Sequence, residues 1–227
     1  HESGVLTAQP MKGTAPASGD DMADARAAQV LSADAKSRAE NLMIVDLLRN
    51  DLGCIAEIGS VGVEQLFDVQ RYTSVLQMTS TVHGRLRAEA TLHDVFAALY
   101  PCGSITGAPK RRTMQIIREL EGSARGIYTG AIGWFDPVQQ GEAIGNFCLS
   151  VPIRTLQLDA LQEGAHGNVR KGRMGIGAGI VHDSVANDEY AECLLKARFL
   201  TGLSCDFQLF ETMCAKDGQV PLLERHL

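Results

Sequence analysis

Apolar positions along this chain change period several times, and each change predicts an element. Residues 15–25 are small, polar and acidic and read as a loop leading into a helix. Ser32 can cap that helix, which continues through Leu48 with Gly53 as its stop. Leu42, Val45, Leu48 and Leu52 recur within it at helical spacing, so that face is expected in the core. From Gly59 to Gly84 the pattern becomes β-branched and alternating, which predicts strands at 65–72 and 75–82. A short helix at 92–99 follows. Pro109 suits the first position of another helix, running to Glu121 and stopping at Gly122. Three more strands are expected at 126–135, 143–156 and 173–181, and Asn187 can cap a final helix. Strands in meander order with helices between some of them predict an α+β fold, a layered sandwich of largely antiparallel sheets flanked by helices.

Composition narrows the function classes. At 227 residues and 45% hydrophobic, the chain is long enough for one large domain or part of one. Its 21 basic and 27 acidic residues give a net charge of −6, with no long run of either sign. That balance argues against a nucleic-acid partner, which favours a basic face. No apolar run approaches the roughly 18–20 residues that span a bilayer, and no secretory signal is read. The six cysteines are scattered without metal-ligand spacing, as expected of reduced thiols in a cytoplasmic protein.

Four segments carry candidate chemistry. In Pro10-Met11-Lys12-Gly13-Thr14 a lysine sits where proline stiffens the approach and glycine lets the backbone turn sharply. Gly103-Ser104-Ile105-Thr106-Gly107-Ala108-Pro109-Lys110 is not a P-loop, because Pro109 precedes the lysine and Arg111 follows it. It is either a tight turn or an anion cradle of backbone N–H groups at a helix start. Gly175, Gly177 and Gly179 alternate in an expected strand, which calls for close approach of a ligand or close sheet packing. Glu189, Glu192 and Lys196 are three and four residues apart, hence on one helix face.

Taken together, these motifs resemble the chorismate-utilising enzymes, and Lys12 resembles the aminodeoxychorismate synthase component I branch. Anthranilate synthases of this family carry alanine at the matching position. The resemblance implies conversion of chorismate and ammonia to 4-amino-4-deoxychorismate, on the route to para-aminobenzoate and folate. Lys12 would attack ring carbon C2 first, and ammonia would then add at C4 and displace it. A free lysine amine, with a pKa of about 10.4, costs about 4.6 kcal/mol to deprotonate at pH 7, so such a nucleophile needs burial or nearby positive charge.

The same resemblance assigns further roles. Thr106 joins Lys12 as a catalytic residue. Gly13, Thr14, Gly103, Tyr128, Arg154, Gly177, Ala178, Gly179 and Lys196 contact substrate; of these, Arg154 can grip a carboxylate with two parallel bonds. Glu40, Glu189 and Glu192 supply a magnesium site, for which one or two direct carboxylates are usual. A glutamine amidotransferase subunit would deliver the ammonia. Counting from Arg71-Tyr72, Gln77 stands where many relatives have a histidine thought to protonate the departing hydroxyl, and an amide cannot do that. The catalytic domain is expected over 1–203, with earlier strands of the fold lying outside this sequence. Residues 204–227 resemble the opening of a fold-type IV pyridoxal-phosphate lyase, such as a fused aminodeoxychorismate lyase domain.

Overall fold

The computed structural model describes residues 1–72, 75–139, 141, 143–164, 167–182 and 184–201. They fall into two compact units, His1–Gly175 and a second beginning at Ile176. The expected boundary at 203 lies outside the described residues.

The first unit opens with strands β1 (Val5–Ala8) and β2 (Met11–Pro16), then helices α1 (Asp21–Ala33) and α2 (Ala35–Gly53). Strands β3 (Gly62–Arg71) and β4 (Val75–Arg85) follow. All pairings are antiparallel and all run through β4, with β3 on one edge and β1 and β2 in succession on the other. The break between β1 and β2 is bridged at Pro10, whose carbonyl accepts the Ser80 N–H at 3.1 Å. Proline suits this position because it has no N–H of its own to satisfy.

The expected loop at 15–25 is instead the end of β2 and the start of α1. Asp20 caps α1 by accepting the Ala23 N–H. The predicted cap Ser32 lies inside α1; Asp34 separates the two helices and caps α2 by accepting the Ser37 N–H at 2.7 Å. A short acidic side chain at each break satisfies an orphan N–H, which the composition of this stretch disguised as loop. Along α2, Ile44, Val45, Leu48 and Leu52 pack with Leu6, Val82, Leu86 and Val95 in the main core. Each such side chain, buried fully, contributes roughly 1.5–3 kcal/mol. Leu42, expected beside them, is half exposed, and its neighbour Asn41 holds the buried position instead. The Ser80 hydroxyl donates to Asn41 Oδ1 at 2.6 Å, so a polar pair replaces the leucine there. A smaller cluster joins Leu31 of α1 to Leu76 and Met78 of β4.

Helix α3 (Leu92–Leu99) matches its predicted span and begins at a capping box between Thr91 and Asp94. A single turn, α4 (Gly103–Thr106), precedes α5 (Lys110–Leu120), with Pro109 as the cap of α5 rather than its first residue. Strands β5 (Ile132–Phe135) and β6 (Phe147–Ser150) pair antiparallel. Next come β7 (Leu156–Leu158), β8 (Gln162–Gly164), β9 (Gly167–Val169) and β10 (Gly172–Met174), paired β7 with β10 and β8 with β9. The strand expected at 126–135 begins only at Ile132. Residues 126–130 form turns, with Tyr128 N–H on Arg125 O and Gly130 N–H on Ile127 O. The strand expected at 173–181 ends at Met174, so the alternating glycines lie beyond it.

The second unit contains α6 (Ala186–Thr201). Asn187, predicted as its cap, is already helical; the carbonyl of Val185 accepts the Asp188 and Glu189 N–H groups. No helix among the described residues is long and apolar enough to cross a membrane.

Candidate functional site

The register of β2 against β4 jumps between Met11 and Thr14: Met11 faces Thr79 and Thr14 faces Gln77. Three steps on β2 therefore match two on β4, which makes Lys12-Gly13 a bulge. Bulges commonly re-aim a side chain, and here the side chain beside the glycine is the candidate nucleophile. Gly13 has φ +88°, and a Cβ added to it would lie 2.9 Å from Ser37 Cβ. Glycine is required there on both counts. Lys12 Nζ is 4.0 Å from Glu40 Oε2 of α2, with each side chain more than a third exposed, so this pair contributes roughly 0–1 kcal/mol. Gln77 spans the bulge, donating its amide N–H to Gly13 O at 2.8 Å and accepting the Thr14 hydroxyl at 3.1 Å.

A second group surrounds a cleft of about 540 Å³ between the α4–α5 segment and residues 121–130. Thr106 and Tyr128 both line it, together with Arg118 and Arg125. Thr106 donates its hydroxyl to Cys102 O at 3.1 Å and keeps acceptor capacity. Arg125 grips Glu121 with Nε and Nη2, which holds the Glu121 carboxyl below the usual range and raises the guanidinium further. The turn that carries Tyr128 is fixed by Thr129, whose N–H bonds Pro152 O at 2.8 Å. Arg154 follows two residues later with φ +51°, exposed and without a hydrogen-bond or ion-pair partner among the described residues. A side chain at Gly175 would overlap the Tyr128 ring. For Gly175, close packing is therefore the physical reason for glycine.

Of the two readings of Gly103–Lys110, the tight turn is the one seen. The N–H groups of Ile105, Thr106 and Gly107 are paired to Cys102 and Gly103 carbonyls within the turn. Gly103 is buried against Leu47 and Asp51 of α2. Lys110 faces inward, donating to Asp51 Oδ2 at 2.8 Å and to Ala98 O at 2.7 Å. The lysine of this motif is thus a tie between α5, α2 and the end of α3.

In the second unit, Lys196 donates to Gly177 O at 2.8 Å and pairs with Glu192 at 2.7 Å. It holds the Gly177-Ala178-Gly179 segment beside α6. Glu189 accepts the Ser184 hydroxyl at 2.6 Å. Among the described residues no three His, Cys, Asp or Glu side chains gather as a ready metal site. The donor set still suits magnesium, since carboxylate oxygens are hard ligands and one or two are enough.

Within the first unit Lys12 lies with Glu40, Gly13 and Thr14, and Thr106 lines one cleft with Tyr128; within the second, Gly177 lies with Glu192 and Lys196. The Gln77 bridge and the Lys110–Asp51 tie were not foreseen. Only the strand register could have indicated the first, and nothing in the spacing of Asp51 and Lys110 marks the second.

Comparison with known proteins adds the family. The description "chorismate binding enzyme" matches residues 1–202. An aminodeoxychorismate synthase of Streptomyces pristinaespiralis is 44% identical over 195 residues, covering 86% of this chain and 25% of that protein. An anthranilate synthase component 1 of Haloarcula marismortui is 45% identical over 195 residues, covering 86% of this chain and 37% of that one. Among solved structures, anthranilate synthase component I from Streptococcus pneumoniae is similar with a TM-score of 0.64 at 37% identity, over 87% of this chain and 40% of that one. The isochorismate synthase MenF of Escherichia coli shares the fold, with a TM-score of 0.67 at 22% identity over 88% of this chain and 42% of that chain. The chain spans about a quarter to two-fifths of the length of these relatives.

Proposed function

We infer the function from one premise: the chain belongs to the chorismate-binding enzyme family. Within it, we propose the aminodeoxychorismate synthase reaction, with Lys12 as nucleophile. Overall identity does not separate this from anthranilate synthesis, because relatives of both names match equally well. The observation that carries the proposal is a lysine on the bulge of β2, beside a glycine required both by its positive φ and by the close approach of Ser37.

The neutral Lys12 amine forms a bond to C2 of chorismate. The ring double bonds shift, the C4–O bond breaks, and the hydroxyl leaves as water with the proton that the attacking amine gives up. Ammonia then forms the C4–N bond, the double bonds shift back, and the C2–N bond to Lys12 breaks as the proton lost by the incoming nitrogen returns the lysine to its neutral amine. Chorismate carries two carboxylates. Arg154, exposed and without a partner among the described residues, has the fork geometry to bind one of them. Tyr128 and Thr106 line a cleft large enough for a small ring compound and would orient it. Glu192 and Glu189 would hold magnesium, which when bound neutralises substrate carboxylate charge. Lys196 offers a further cation, and a glutamine amidotransferase partner supplies the ammonia.

The test is intact-protein mass spectrometry after incubation with chorismate and magnesium, without ammonia, on the chain and on Lys12→Ala. An adduct of chorismate less water on the parent alone is expected. Anthranilate formed on adding ammonia, with no adduct at any stage, would instead assign the anthranilate reaction. Chorismate binding with neither outcome would leave a binding module without turnover.

A further inference from the structure

We propose that Gln77 is a positioning residue for Lys12, clamping the β2 bulge so that the lysine is presented in one orientation. The inference rests on the reading of Lys12 as nucleophile. Its basis is geometric. Lys12 and Gly13 together face a single residue of β4, Met78, because the register passes from Met11–Thr79 to Thr14–Gln77. A stretch without regular cross-strand pairing is the part of a strand freest to shift. Gln77 counters this from the neighbouring strand with two bonds, one to the Gly13 carbonyl at 2.8 Å and one from the Thr14 hydroxyl at 3.1 Å. These are the two residues immediately after the lysine.

The side chain suits the task. A primary amide carries donor and acceptor side by side, so one group can serve a carbonyl and a hydroxyl together. Glutamate would lose the donor, and methionine, of similar length, would lose both. Gln77 is itself partly buried at the centre of the sheet, between Thr14 on one side and Gln70 of β3 on the other. Its backbone is therefore fixed on both edges, which makes it a firm anchor for the bulge. Gln77 does not move a proton; it acts on the reaction only through where Lys12 stands. Holding a nucleophile within a fraction of an ångström of its line of attack is the kind of effect that changes turnover while leaving affinity alone.

The experiment uses the full chain and compares the parent with Gln77→Met and Gln77→Glu, and with Thr14→Val as a milder variant that removes only the hydroxyl arm. Hydrogen exchange is read on the peptide covering 9–17, and the Lys12 adduct rate is read at saturating chorismate with magnesium, alongside the chorismate Kd. The expected result is faster exchange confined to that peptide in Gln77→Met. The adduct rate should fall tenfold or more in the same variant, with Kd within about twofold. Gln77→Glu, which keeps the acceptor, should fall between Gln77→Met and the parent. Unchanged exchange in Gln77→Met and Thr14→Val overturns the clamp. Faster exchange with an unchanged adduct rate overturns the positioning role. No adduct on the parent sinks the Lys12 mechanism and the positioning role with it, whereas equal adduct on parent and variant sinks the positioning role alone.

Discussion

Replacing Lys110 with methionine separates two meanings of the Gly103–Lys110 motif. If the lysine were there for an anion, its loss would weaken ligand binding and spare the fold. The structure has it donating to Asp51 Oδ2 at 2.8 Å and Ala98 O at 2.7 Å, with the two charged side chains only 21% and 14% exposed. Breaking a fully buried pair by removing one partner costs about 3–5 kcal/mol, because a charge is left stranded. A pair with this much residual exposure lets water reach the orphaned carboxylate, so about 2–3 kcal/mol is expected. For a domain of this size that corresponds to a Tm lower by about 4–12 °C. Thermal denaturation of the parent, Lys110→Met, Asp51→Asn and the double variant gives the cycle. The double variant should be more stable than the sum of the single losses predicts, by about 1–2 kcal/mol. A Tm within 2 °C of the parent by order of magnitude, coupled to weaker chorismate binding, would refute the structural role.

Two further perturbations test the local geometry. Gly13→Ala places a Cβ 2.9 Å from Ser37 Cβ at a φ of +88°, and strain plus overlap should cost roughly 2–4 kcal/mol, read as a lower midpoint in urea; an unchanged midpoint would remove the steric reason for this glycine. Asp24, buried in the first turn of α1, accepts hydrogen bonds from the Ser18 N–H and hydroxyl, and these, with Arg71 Nε beside it, hold its carboxyl below the ordinary range. Because the folded pKa is depressed, its stabilisation is present above the unfolded value of about 3.9 and is lost as pH falls through the folded one. Asp24→Asn should therefore melt below the parent near pH 6, with the gap closing below about pH 4; a gap independent of pH would rule this out.

How much of this was readable beforehand depended on whether the controlling interaction was local. The helix at 92–99 came out as expected because its cap, period and length are all encoded within a dozen adjacent residues. The strands around 65–82 did too, since alternation is a property of neighbours. Leu42 and Asn41 exchanged places because helical spacing alone leaves the burial stripe uncertain by one residue. Their order was decided across the sheet, where Ser80 offers a hydroxyl to the amide. Likewise 173–181 has the apolar alternation of a strand, yet pairing stops at Met174.

The candidate chemistry divides along the same line. Sequence by itself determined the residue types: a lysine beside a glycine, an intact Gly-Ser-x-Thr-Gly-Ala-Pro-Lys segment, and glutamates at helical spacing with a lysine. Those identities were enough for the family, because a motif is a one-dimensional object. Tertiary structure alone decided what each group touches. It turned Lys110 inward onto Asp51 and set Gln77 across from Thr14. Such partners are fixed by strand register and by helix packing between residues tens of positions apart, and neither is written in local spacing.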